Sequence, residues 1–139
     1  MDFSPIIRSQ SDLLDVWTTL MQPLGFSRHS VWLMLIGSDD RPVPQLTELE
    51  DAERPPTPAQ LTSMAETLQM LRDEFVPGGR FAFLRSRPGA GGITRNDRDW
   101  ARALYDAGRA AGVPVEVVHR ACDVDLVPIP MDDVLARSA

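Results

Sequence analysis

Residues 80–112, with the sequence RFAFLRSRPGAGGITRNDRDWARALYDAGRAAG, contain the change from strand to loop to helix that decides the fold. The opening segment 80–84 is mostly apolar and predicts a short buried strand. Glycines and Pro88 predict a loop after it, and over 94–111 apolar residues recur at helical spacing. Gly112 followed by Pro114 is typical of a helix end. The stretch therefore predicts one strand–loop–helix unit.

The flanking sequence predicts further helices and strands on both sides of this unit. Upstream, the spacing of apolar residues predicts helices over 11–21 and 58–75, and the apolar run 30–36 predicts a buried strand. Residues 43–47 predict a partner strand, which Pro42 and Pro44 would confine to a sheet edge because proline has no N–H to donate. Downstream, segments 115–119 and 126–129 predict two more strands. The tail 131–139 fits either a short helix or a frayed end.

The order of these elements indicates the fold class. Helices that alternate with apolar strands predict an α/β (α+β) fold, in which a mixed β-sheet of about four to five strands is flanked by about three helices. With 139 residues, 43% hydrophobic and 24% charged, the composition suits one compact domain over residues 1–139. Its parts would be the N-terminal helix, a core over about 30–130 and a short C-terminal tail.

The composition argues against several classes of protein. No signal-peptide pattern is present, and the longest clean apolar stretch, 31–36, is too short to cross a membrane, so we expect a soluble cytoplasmic protein. Cys122 is the one cysteine, which leaves no disulfide framework and no zinc site built on several cysteines. All 14 basic residues are arginine, as in proteins from GC-rich bacterial genomes. The net charge of -6 disfavours nucleic acid as a partner without eliminating it.

The segment between residues 84 and 113 resembles the JAB/MPN metalloprotein family, and within it the bacterial RadC-like branch. In that family a strand delivers His-x-His-Pro, a loop of small residues follows, and Ser-x-x-Asp opens a helix. Arg85-Ser86-Arg87-Pro88 stands here at the His-x-His-Pro positions, and Thr94-Arg95-Asn96-Asp97 stands at Ser-x-x-Asp. The resemblance extends over about 30–129 and implies a JAB/MPN-like three-layer arrangement.

Two departures from the family pattern concern the metal. Both histidines of the motif are arginine here, and the loop that follows is one residue shorter. A guanidinium offers no lone pair to a cation, so Arg85 and Arg87 cannot bind zinc. His29 and His119 lie outside the loop and are expected to be surface or packed residues, and the family's catalytic glutamate has no clear counterpart. We therefore expect no metal, no cofactor and no metal-dependent hydrolase activity.

The resemblance also implies a function. Relatives that have lost the metal serve as scaffolds or recognition modules, so a non-catalytic protein-interaction module is the first expectation. Its partner would be an unknown protein, and a homodimer is left open.

The arginine-rich loop 85–98 supports an alternative function. Arginines beside a helix N-terminus can bind an anion, a nucleotide or a nucleic-acid phosphate. The candidate anion-binding residues are Arg85, Ser86, Arg87, Gly89, Gly91, Gly92, Arg95 and Arg98. The competing interpretation is a solvated basic face that pairs with acids elsewhere. Thr94 and Asp97 are expected to form a capping box, as a vestige of the family motif.

Overall fold

The computed structural model of the chain describes residues 5–137. Its elements are α1 (Gln10–Met21), β1 (Ser30–Ile36), β2 (Pro42–Leu49), α2 (Pro58–Phe75), β3 (Arg80–Ser86), α3 (Arg95–Ala111), β4 (Val118–Ala121), β5 (Leu126–Ile129) and α4 (Met131–Arg137). The five strands form one sheet in the order β2-β1-β3-β4-β5, in which β3 and β4 are parallel and the other neighbours antiparallel. The predicted α+β fold with a mixed sheet is confirmed.

The sheet is the middle of three layers. Successive residues of a strand point to opposite faces, so Phe81 and Phe83 of β3 join the cluster that includes residues of α2 and α3. Ala82 and Leu84 join the cluster on the other face, which α1 covers. Because both faces of β3 are buried, its residues 81–84 form a continuous apolar run without alternation. Within residues 5–137, no helix is both long and apolar enough to span a bilayer.

Two helices begin at capping boxes, which fix where each enters the layer. Thr57 and Gln60 form the box of α2, and Thr94 and Asp97 form that of α3. α3 ends at Gly112, whose φ of 69° lies in the left-handed region that glycine adopts readily. The predicted start and end of α3 are thus both present.

One buried side chain holds α3 against the far edge of the sheet. Tyr105 Oη donates to the carbonyl of Ile129 in β5 at 2.8 Å and accepts from the amide of Val118 in β4 at 2.9 Å. The bridge occurs beside the first residue of β4, where the ladder to β5 begins. It therefore ties α3 to β4 and β5, and β4 contributes a residue to the site described below.

The prediction of a strand over 115–119 starts too early, since β4 begins at Val118. Val115 makes only an isolated bridge with Phe81, and continuous pairing resumes between Leu84 and His119. The β4 side has one residue more than the β3 side between these two points, so a bulge interrupts the ladder. The observed strand, Val118–Ala121, therefore includes Arg120, which lies beyond the predicted strand 115–119.

Candidate functional site

Two arginines lie side by side on the sheet face that α3 covers. Arg85 of β3 and Arg120 of β4 are direct partners in the parallel ladder. Each comes two residues after a member of the α3-side cluster, Phe83 and Val118, and they are 0% and 1% exposed. Like charges opposite each other in a sheet repel, and a buried charge is unfavourable without a partner. The pair therefore requires a buried anion.

Asp97 supplies this anion from the first turn of α3. In the capping box Thr94 Oγ1 accepts from the amide of Asp97 at 3.1 Å, and Asp97 Oδ2 accepts from the amide of Thr94 at 2.9 Å. Asp97 is nevertheless fully buried, whereas the first turn of a helix is a place where an acid is stable in water. Its carboxylate thus has a role in addition to the predicted cap.

That role is to accept hydrogen bonds from arginines. Arg85 Nε donates to Asp97 Oδ1 at 2.9 Å. Arg87 donates from Nε to Oδ1 and from Nη2 to Oδ2, both at 2.8 Å, which is the strong bidentate geometry. Arg120 Nε lies 3.8 Å from Oδ2 and has no hydrogen-bond partner within the described residues. We call these four residues the arginine–aspartate cluster.

The pKa of Asp97 reflects this arrangement. Burial alone raises the pKa, because it removes water from the carboxylate. Hydrogen bonds from Arg87, from the Thr94 amide and from Arg85 outweigh burial and lower the pKa of Asp97 from 3.8 to about 2. Among the arginines, burial lowers the pKa of Arg85, whereas the hydrogen bond to Asp97 raises that of Arg87. Asp97 is therefore an anion at neutral pH.

The remaining donors of Arg85 connect the cluster to two other segments. Arg85 Nη1 donates to the carbonyl of Ala52, in the segment between β2 and α2, at 2.6 Å. Arg85 Nη2 lies 3.0 Å from His29 Nδ1. A guanidinium can only donate, so Nδ1 accepts and His29 is neutral with its proton on Nε2. Burial and the charge of Arg85 both lower the pKa of His29, which favours the same neutral state.

The glycine-rich loop closes the outer side of the cluster with its carbonyl groups. The carbonyls of Gly91 and Gly92 accept from Arg120 Nη2 at 3.5 Å and from Arg87 Nη2 at 3.2 Å. Carbonyl oxygens carry partial negative charge and complement cations. In this conformation the loop therefore stabilises the arginines and occupies donors that an anion would use.

The structure separates the predicted site residues of β3. Arg85 and Arg87 come together on Asp97. The competing interpretation of a solvated basic face is wrong in that both are buried, at 0% and 6% exposed, but the pairing with an acid that it expected is present. Ser86 lies on the opposite sheet face, where its Oγ accepts from Trp32 Nε1 at 2.9 Å. It does not join the two arginines between which it stands in the sequence.

The other candidates of the loop and of α3 lie outside the cluster's centre. The Gly89 amide donates to Asp123 Oδ2 at 2.8 Å. Arg95 is exposed, and Arg98 is half-buried and donates to the carbonyl of Ile93 at 3.2 Å. These groups are held by separate partners or face solvent, so the structure does not gather the predicted anion ligands around one point.

Two residues of the site were not predicted. Arg120 is a member of the cluster, and it also donates to Asp125 and lies 2.8 Å from Cys122 Sγ. Its signal was available, because an arginine inside an otherwise buried strand implies a buried counter-ion. His29, expected as a surface or packed residue, contacts Arg85 from 56 positions away in the chain, and no local pattern indicates that contact.

The cluster does not fit the zinc ion that the family resemblance implies. Two of the three motif positions hold guanidiniums, which cannot coordinate a cation, and the third, Asp97, is saturated by their hydrogen bonds. In the part of the chain that the structure describes, no group of three or more His, Cys, Asp or Glu side chains is placed to hold a metal. No metal-dependent step can be derived for these residues.

Comparison with known proteins leaves the family open. No protein-family model matches this chain, and no curated protein sequence matches it either. The resemblance to the JAB/MPN family thus rests on the residues between 84 and 113, and the function is argued below from the cluster.

Proposed function

We propose that this chain is a metal-free, non-catalytic domain of the JAB/MPN type that acts as a protein-interaction or scaffold module. The observation that carries the proposal is the arginine–aspartate cluster at the positions of the metal motif. Arg85 and Arg87 replace the two histidines and bind the very carboxylate, Asp97, that would be the third ligand. In this proposal the cluster is a structural cross-link that takes the place of the metal.

Its connections support a scaffolding role. Charge-assisted hydrogen bonds of the cluster join β3 to the start of α3 and to the segment before α2, and they join β4 to the glycine-rich loop. A structural metal stabilises a small fold in the same way, by connecting segments that are distant in sequence. A core that is cross-linked in this way would suit a domain that binds another protein through its surface.

Zinc binding provides the first test. We expect the full chain, incubated with excess zinc and dialysed, to retain far less than one equivalent by mass spectrometry of the metal. The double variant Arg85→His with Arg87→His is expected to gain zinc binding, because it restores two neutral nitrogen ligands beside Asp97. Stoichiometric zinc on the wild-type chain would contradict the proposal. A folded double variant that binds no zinc would contradict the equivalence to the metal motif.

The interaction role is tested with the chain immobilised in a lysate of its source organism. We expect it to retain a protein that, once purified, binds saturably by calorimetry and with an affinity unchanged by EDTA. Raising the salt from about 50 to about 200 mM should weaken a protein contact modestly, whereas a phosphate-bound nucleic acid would lose roughly a thousandfold or more. Retention of nucleic acid alone, with that steep salt dependence, would overturn the proposal in favour of the anion-binding alternative.

Binding of an anion or a phosphate by the arginine-rich loop 85–98 is the second candidate function. Arg85 and Arg87 would have to release Asp97 before they could bind phosphate. A cavity of about 350 Å³ does lie beside Arg98, but Asp133 lines it as well, so its two charged groups oppose each other. The geometry supports the interaction module better.

A further inference from the structure

A cavity of about 500 Å³ lies between α2, α3 and the sheet. None of the four residues of the arginine–aspartate cluster lines it. Its volume falls within the range of small-molecule sites. The inner wall consists of buried apolar side chains from β1, β3, α2 and α3, namely Val31, Leu33, Leu68, Phe83, Trp100 and Leu104. Such a wall favours the burial of an apolar ligand, since the hydrophobic effect scales with the area removed from water.

Two hydrogen-bond donors of the cavity lining have no protein partner within the described residues. Arg54 lines its mouth, is exposed, and makes no ion pair or hydrogen bond within the described residues. Trp100 lines its wall, and Trp100 Nε1 is buried without a partner in the same part of the chain. A buried N–H without an acceptor is unfavourable. A ligand with negative charge and acceptor oxygens complements the exposed Arg54 at the mouth.

The mouth also contains acids, and they limit where an anionic group would bind. Glu50 is paired with Arg28, at 3.0 Å between Oε1 and Nη2. Asp51 is exposed on the same rim and would repel an anion. Arg54 is thus the cation at the mouth that is available to a ligand, and Asp51 is its competitor.

We propose that this cavity binds an amphipathic carboxylate, with its apolar body between α2 and the sheet and its carboxylate at Arg54. The inference goes beyond the interaction role proposed above and does not depend on it. It predicts opposite effects for the two rim charges: removing Arg54 weakens binding, and removing Asp51 strengthens it.

The test uses decanoate as the probe and the indole signals of the full chain in a two-dimensional NMR titration. The chain contains three tryptophans, and the signal of Trp100 is identified from the variant Trp100→Phe. We expect decanoate to shift the Trp100 signal saturably. An unmoved Trp100 signal would overturn the proposal. So would a Trp100 signal that depends on protein concentration without decanoate, because a second copy of the chain would then occupy the cavity.

Matched variants separate a specific site from general hydrophobic binding. Ser63→Phe places a ring at the lining of the cavity and should weaken decanoate binding at least about tenfold. Gln69→Phe, also on the exposed side of α2 but outside the lining, should leave it unchanged. Equal binding by the two variants would overturn the location of the site.

The charge of the ligand is tested in the same titration. Arg54→Gln should weaken decanoate binding roughly fivefold, and Asp51→Asn should tighten it by about twofold. Arg102→Gln removes an exposed arginine of α3 that does not line the cavity, and it serves as the control for net charge. If Arg54→Gln and Arg102→Gln bind decanoate equally well, the carboxylate is not held at Arg54 and the proposal fails.

Discussion

Replacing Asp97 with asparagine is expected to lower the free energy of unfolding by at least about 3 kcal/mol. The variant keeps the shape of the side chain but removes the anion that Arg85 and Arg87 bind in the core. Removing one partner of a buried ion pair typically costs about 3 to 5 kcal/mol, because the remaining charge is left uncompensated. Since small domains have only about 5 to 15 kcal/mol in total, this loss is a large fraction of the stability. Urea unfolding followed by circular dichroism measures the effect.

Asp99→Asn provides the matched control. Asp99 lies in the first turns of the same helix but is exposed, so its replacement should change the free energy of unfolding by no more than about 0.5 kcal/mol. Both variants remove one negative charge from α3. If they were equally stable, the carboxylate of Asp97 would not be the counter-ion of the buried arginines, and the cluster would lose its proposed structural role.

The acid dependence of stability gives a second readout for the same carboxylate. Its pKa is about 2 in the folded chain and 3.8 without these contacts, so the unfolded chain binds the proton first as the pH falls. The stabilisation is complete above pH 4 and is lost as the pH falls through about 2. It amounts to roughly 2 kcal/mol at neutral pH, at about 1.4 kcal/mol for each unit of pKa. Any folded Asp97→Asn variant should lack this part of the acid dependence.

The sequence was sufficient to predict the elements that burial patterns define. The apolar run of β1 and the helical spacing of α3 both follow from which faces are covered. The predicted position of β4 was too early in the chain, because a bulge after Val115 changes the register of the ladder. Such a bulge does not alter the pattern of apolar residues in the sequence. Local patterns therefore predict which elements exist more reliably than where a parallel ladder begins.

The site was predicted in part, for a related reason. The motif indicated Arg85, Arg87 and Asp97, and the capping box placed Asp97 at the start of α3. Neither feature indicated that the carboxylate turns inward and binds both arginines. That outcome depends on the parallel register of β3 with β4, which brings Arg120 beside Arg85. Because these two buried cations need an anion, a buried position is favourable for the carboxylate of Asp97. Charge balance in the core is a property of the assembled sheet and helix.

Between pH 6.5 and pH 4, the free energy of unfolding is expected to fall by roughly 3 kcal/mol because of His119. This side chain is 2% exposed on β4, and its Nδ1 donates to the carbonyl of Val117 at 3.1 Å. Burial lowers the pKa of His119 from 6.5 to about 4, although the hydrogen bond to Val117 opposes the shift. Above pH 6.5 the residue is neutral in both states. Below pH 6.5 His119 is protonated in the unfolded chain but stays neutral in the folded chain until about pH 4. Acid therefore favours unfolding.

Urea unfolding at a series of pH values measures this slope, and His119→Gln should flatten it over that range. The chain has two histidines, so His29→Gln is the matched control, and it should retain most of the slope. An NMR titration of the His119 ring in the folded wild type checks the cause directly and does not depend on how well a variant folds. A midpoint near 6.5 would mean that the ring is accessible to protons in the folded state. The description of His119 as a buried, neutral side chain on the α1 side of the sheet would then be wrong. The acid sensitivity would have to come from the carboxylates.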